Sequence, residues 1–179
     1  VCSRNEETVS ECARQWRCHG WTNPDEMLAN PAIDIVYISV PTGLHSKFGT
    51  RALVAGKHVW CEKPLTCDFP STNKLVRLAE EKGQVLAEAF MYLYHPQFRR
   101  VKAFVNNEKS GKIHTLTCKF GIPVLSDPGF RNDRSMGGGA MLDVGTYTVS
   151  AALALFPGQE VKLLFAEVRS YGRPVDVDG

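Results

Sequence analysis

Two short stretches hold the side chains best suited to chemistry. Lys63 stands between a glutamate and a proline at the end of an apolar run, Val59 to Leu65 (VWCEKPL). Asp143 and Tyr147 stand four residues apart beside three consecutive glycines in Met136 to Val149 (MGGGAMLDVGTYTV). An ammonium and a phenol can together deliver a proton to a carbonyl oxygen, because a nearby cation lowers the cost of forming phenolate. A four-residue spacing puts Asp143 and Tyr147 on one face of a helix. Each residue also has a plainer use: Lys63 and Asp143 as solvated charges, Tyr147 as a core residue with its hydroxyl satisfied. The glycines allow two readings. They could offer free N–H groups to an anion at a helix start, or they could let a helix entry pass close under a ligand or neighbouring strand. The second is favoured, since Gly137 to Gly139 follow no strand and do not form GxGxxG.

The elements that must position these residues are legible in outline. Glu6 to Trp16 has apolar residues at helical spacing, and Asn23-Pro24-Asp25 opens a short helix to Ala29. The β-branched run Ile33 to Val40 suits a strand of a parallel sheet covered on both faces. A helix from Ser46 to Ala55, a strand over Lys57 to Lys63, a helix from Pro70 to Lys82 stopped by Gly83, and a strand over Gln84 to Phe90 follow. This alternation predicts a doubly wound α/β layer with right-handed crossovers. In such sheets ligands bind outside the carboxyl ends of the strands. That rule selects Pro41, Thr42 and His45 after the first strand, Glu62, Lys63 and Pro64 at the second, and Glu88 to Tyr92 at the third. The prolines could equally be strand terminators, and Thr42 and His45 could be caps. Beyond Phe90 the pattern becomes α+β: a helix from Gln97 to Asn107, a strand over His114 to Ile122, a loop to Ser135, a helix from Ala140 to Phe156 and a β-rich stretch, Val161 to Tyr171.

Composition narrows the function. Lys and Arg number 21 against 19 Asp and Glu, a formal charge of +2, with no basic run interleaved with aromatics, so a nucleic-acid partner is not expected. The six cysteines form no CxxC pair; reduced thiols in a cytoplasmic protein are expected, with no metal site. No apolar run reaches the roughly 18 residues of a spanning helix, so no membrane partner is expected.

The motifs EKP (Glu62 to Pro64), VPTGLH (Val40 to His45), AEAFMYLYHPQF (Ala87 to Phe98) and GGGAMLDVGTY together resemble the Gfo/Idh/MocA family of NAD(P)-dependent oxidoreductases over essentially the whole chain. The resemblance implies a Rossmann dinucleotide-binding domain over 1–90. An α+β substrate and oligomerisation domain with an open, mostly antiparallel sheet follows over 91–179. It implies that Lys63 lies between nicotinamide and substrate, commonly before a cis Lys-Pro bond, that Tyr147 is the acid/base, and that Asp143 lies close by. Thr42 and His45, with Pro41, Glu62 and Pro64, would line the cofactor. Tyr92, His95 and Arg131 join Asp143 and Tyr147 as candidate substrate ligands. Ser3 and Arg4 fall beside the adenosine ribose, where a carboxylate would exclude a 2′-phosphate; a hydroxyl and a guanidinium there predict NADP over NAD. Within the family the chain is most similar to sugar-nucleotide 3-ketoreductases and to aldose or dihydrodiol dehydrogenases. The latter often carry Arg where this chain has Leu93, which favours a 3-ketosugar substrate. A homodimer or homotetramer is implied by the family's open sheet. The chain departs from the family in lacking GxGxxG and in stopping before the further sheet strands. Both ends are therefore expected to be missing, and a non-catalytic sugar-binding or assembly module is the rival expectation.

Overall fold

The computed structural model describes residues 1–107, 109 and 111–179. Its first half is a three-stranded parallel sheet in the order β1 (Ile35–Ile38), β2 (His58–Cys61), β3 (Leu86–Glu88). Helix α3 (His45–Val54) links β1 to β2, and α4 (Phe69–Lys82) links β2 to β3. Asp68 caps α4 by accepting from the Ser71 N–H at 2.8 Å, and Gly83 ends it in the left-handed region at φ 64°. Helices α1 (Glu6–Trp16) and α2 (Pro24–Ala29) precede the sheet, both capped by asparagine side chains. Leu28, Ile38, Ala52, Leu53, Val59, Cys61, Leu75 and Ala79 form one buried cluster between sheet and helices. Register pairs Ile38 with Cys61 and Cys61 with Glu88, so the three strands end level with one another. Everything that follows them stands on one rim.

The expected α/β layer with a parallel sheet is present, and two expectations differ in detail. The run Ile33 to Val40 is not covered on both faces: Ile35 and Tyr37 of β1 and Trp60 of β2 are more than half exposed on one side. The order β1-β2-β3 advances without reversing, so α3 and α4 pack together on the other side. In the second half, α5 (Pro96–Val105) and α6 (Thr146–Leu155) form. The antiparallel sheet does not form among the described residues. His114 to Ile122 and Val161 to Tyr171 have no strand ladder, and only an antiparallel bridge joins Arg169 to Asp178. An apolar pattern favours extended backbone, but a strand needs a paired neighbour, and these stretches find none. Phe120, Leu163, Leu164 and Phe165 are accordingly exposed.

The helix carrying Asp143 and Tyr147 also differs from a uniform α-helix. Met141–Gly145 is π-helical and α6 begins at Thr146. Such π turns occur often at functional sites. Asp176 secures the entry, its backbone oxygen accepting from Ala140 N–H at 2.9 Å and its carboxylate from Met141 N–H at 2.6 Å.

Candidate active site

Lys63 follows β2 on the strand-end rim, and its peptide bond to Pro64 is cis. Its ammonium donates to the Asp143 backbone oxygen at 2.5 Å and to Asp143 Oδ1 at 3.2 Å. Arg131 Nε donates to the other carboxylate oxygen at 2.8 Å. The Lys63 and Asp143 side chains are only 13% and 17% exposed, so this pair is far better shielded from solvent than a surface ion pair. Lys63 Nζ also lies 4.8 Å from the centroid of the Tyr147 ring. Phe90 and Phe120 meet that ring edge-on at 5.5 and 5.3 Å, and Tyr92 is tilted against it at 6.1 Å.

This contact revises the expected relation between the two residues. The cation stands over the ring, and Asp143 takes its hydrogen bonds. Burial first, then the charges of Glu62 and Asp143, push the Tyr147 phenol above the usual tyrosine range. Lys63 therefore does not convert Tyr147 to a phenolate at neutral pH; the hydroxyl keeps its proton and can donate it.

A cavity of about 240 Å³ opens beside these groups, lined by Ser39, Val40, Thr42, His45, Glu62, Lys63, Pro64, Phe130, Arg131, Gly137 and Asp143. Its position outside the carboxyl ends of parallel strands is where such sheets take ligands. Apolar Val40, Pro64 and Phe130 with polar Thr42, Lys63 and Arg131 suit a flat, polar-edged ring such as nicotinamide. Glu62 accepts a 2.5 Å hydrogen bond from the Tyr37 hydroxyl. That bond first, with burial and neighbouring charge, pushes the Tyr37 phenol up to about 12.

The glycines close the seam between the two halves of the chain. A Cβ on Gly137, already at φ 78°, would stand 2.7 Å from both Cys67 Sγ and Thr42 Cβ. One on Gly43 would stand 2.5 Å from the Ser135 backbone oxygen. Close backbone approach, rather than a free anion cradle, accounts for Gly137. We predict that Gly137→Ala costs about 1–3 kcal/mol, the usual range for overpacking or strained backbone, and raises KM; unchanged melting and kinetics would contradict this.

Other candidates are placed differently from expectation. His45 is buried, with its ring nitrogens on two backbone carbonyls. The Tyr92 hydroxyl is 2.7 Å from Ser150 Oγ of α6, and His95 Nδ1 caps α5 by accepting from Gln97 N–H at 3.2 Å. Neither lines the cavity. Pro41, Ser3 and Arg4 are also outside its lining; Arg4 is exposed just before α1. Ser39, Tyr37 and Phe130 were not singled out in the sequence. Tyr37 could have been found only from strand register: it shares a sheet face with Trp60, two residues before Glu62.

Residues 1–90 match the family described as an oxidoreductase family with NAD-binding Rossmann fold, and residues 98–179 match the GFO/IDH/MocA C-terminal domain. The chain belongs to the Gfo/Idh/MocA oxidoreductase family. It is 40% identical over 143 residues to a dTDP-3,4-didehydro-2,6-dideoxy-α-D-glucose 3-reductase of Actinomadura kijaniata, covering 80% of this chain and 43% of the relative. It is 36% identical over 154 residues to the D-xylose 1-dehydrogenase (NADP(+)) 2 of Haloferax volcanii, covering 85% and 47%. The crystal structure of KijD10, a 3-ketoreductase of A. kijaniata in complex with NADP and TDP-benzene, superposes with a TM-score of 0.81 at 35% identity, covering 87% of this chain and 48% of that one. That enzyme has also been crystallised with one tyrosine replaced by Phe and one lysine replaced by Ala or Glu. The chain spans about half the length of the curated relatives it matches.

No helix among the described residues is long and apolar enough to cross a membrane.

Proposed function

We propose that the protein reduces the 3-keto group of a sugar nucleotide with NADPH. The observation that carries this reading is the pairing of Lys63 with Asp143 in the wall of the strand-end cavity, with the Tyr147 ring centroid 4.8 Å from the Lys63 ammonium. Val40, Thr42, Glu62, Lys63 and Pro64 would hold the nicotinamide end, and Arg4 with Ser3 the adenosine 2′-phosphate. When bound, the cofactor supplies the hydride. Lys63, anchored through Asp143, points its remaining N–H at the substrate oxygen and stabilises the negative charge that develops there. Tyr147 gives that oxygen its proton, which its raised pKa keeps available at neutral pH. Arg131 holds the second oxygen of Asp143, so the carboxylate keeps Lys63 oriented. The likeness to the xylose dehydrogenase supports a second reading, oxidation of a free aldose with NADP.

The test is a comparison, in the complete protein, of NADPH-dependent turnover of a dTDP-3-ketosugar with NADP-dependent turnover of D-xylose. Ketosugar turnover at least tenfold higher in kcat/KM is expected, and the reverse order would favour the aldose reading. Saturable NADPH binding, tighter than NADH, is expected; absence of both activities and of cofactor binding would favour a non-catalytic module. Exposed Leu163, Leu164 and Phe165 further support a homodimer or homotetramer, because soluble proteins rarely leave large apolar patches in water. Light scattering that finds only monomer at micromolar concentration would remove that assignment.

A further inference from the structure

The peptide that follows the cis bond is held at both ends by side chains from the two neighbouring strands. His45, which begins α3 beyond β1, places Nδ1 2.9 Å from the Pro64 oxygen. Glu88, the last residue of β3, accepts from the Leu65 N–H at 2.7 Å. Pro64 C=O and Leu65 N–H belong to a single planar unit, so these two contacts fix its orientation as well as its position. The His45 ring is 1% exposed, and its other nitrogen is 2.7 Å from the Val40 oxygen, so the same side chain ties the turn to the end of β1. Carbonyl oxygens only accept, so a hydrogen bond at either contact is donated by the ring.

We propose that His45 and Glu88 are a pair of positioning residues that clamp the Pro64–Leu65 peptide and thereby set the reach of Lys63. The inference rests on the reading of Lys63 as the group that faces the substrate. Neither residue needs to touch substrate or cofactor. Buried polar atoms are normally satisfied, so satisfaction alone would not distinguish a clamp from ordinary core chemistry. What does distinguish them is the target: both contacts fall on one peptide, next to the residue whose placement the reaction needs.

The test uses the complete protein with NADPH and dTDP-3,4-didehydro-2,6-dideoxy-α-D-glucose, together with hydrogen exchange at the Leu65 amide. Glu88→Ala is expected to lower kcat on the order of 10²-fold, as a displacement of about 1 Å at a reacting group can do, with NADPH affinity nearly unchanged. It should also speed exchange at Leu65. Glu88→Gln retains an acceptor oxygen and should restore both the protection of Leu65 and most of the turnover. His45→Asn carries an amide nitrogen close to the place of Nδ1, and His45→Gln one close to the place of Nε2. The clamp predicts that Asn preserves more turnover than Gln, whatever their melting temperatures. Equal turnover in the two His45 variants, or unchanged Leu65 exchange in Glu88→Ala, would overturn the proposal. An inactive Lys63→Ala beside a fully active Glu88→Ala would remove the clamp alone, whereas an active Lys63→Ala would remove the reading of Lys63 and the clamp's purpose with it.

Discussion

Replacing Lys63 by Ala is expected to lower kcat by roughly 10³-fold, the upper range for deleting one preorganised charge at a developing oxyanion. The expectation follows from where the ammonium is held. Two of its contacts go to Asp143, at 2.5 and 3.2 Å, and its charge lies over the Tyr147 ring, so the group has little freedom to be anywhere else. Ala removes the charge and leaves Arg131 as the cation paired with the Asp143 carboxylate among the described residues. Lys63→Arg should not restore turnover, since a larger, planar guanidinium cannot put its charge where the compact ammonium stands between Asp143 and the Tyr147 ring. NADPH affinity should change by only a few-fold, because the cofactor's phosphates lie elsewhere in the assignment. Steady-state kinetics with a parallel fluorescence titration of NADPH separate the two effects; a Lys63→Ala variant with wild-type kcat would refute the role.

Tyr147→Phe should cost roughly 10²–10⁴-fold in turnover, the range of a single general acid, while leaving the edge-on contacts with Phe90 and Phe120 in place. The pH profile gives the sign. A donor must be protonated, so reduction falls as pH rises through the phenol's pKa. Burial and the charges of Glu62 and Asp143 raise that pKa, so the alkaline limb should lie above the ordinary phenol value of about 10. Glu62→Gln removes one of those negative charges and should move the limb to lower pH. A limb that stays fixed in Glu62→Gln, or wild-type turnover in Tyr147→Phe, would count against the phenol as proton donor.

The sequence was most informative where chemistry and chain punctuation coincide. Lys63, Asp143 and Tyr147 were legible as a set, and the succession of strands and helices up to Phe90 followed from alternating buried runs and glycine stops. What was illegible depended on relations between distant segments. The Tyr37 to Glu62 bond follows from strand register, and a sequence does not print register. Gly137 needs no side chain because Thr42 and Cys67 pass beside it, and neither is near it in sequence. His45 was read as a cofactor wall because it follows a strand end, and it does line the cavity; the placement of its ring nitrogens against the Val40 and Pro64 carbonyls became visible only with the turn in place. The stretches His114 to Ile122 and Val161 to Tyr171 have strand-like composition, but composition cannot supply the neighbour a strand must pair with. The Tyr147 phenol was expected to be eased toward phenolate by Lys63, and the opposite shift arises from burial first and then from the charges of Glu62 and Asp143.

The central claim is that hydride passes between nicotinamide and a sugar carbon at the cavity lined by Lys63 and Asp143, with Tyr147 beside the lysine. Its most direct test is to incubate the complete protein with NADPH carrying deuterium at C4 and a dTDP-3-ketosugar, then to locate the label by mass spectrometry and NMR. Deuterium on C3 of the reduced sugar, present with wild type and lost in both Lys63→Ala and Tyr147→Phe, is the predicted result. Labelled product formed equally well by those two variants, or no transfer to any sugar carbon by a wild-type protein that binds NADPH, would contradict the account.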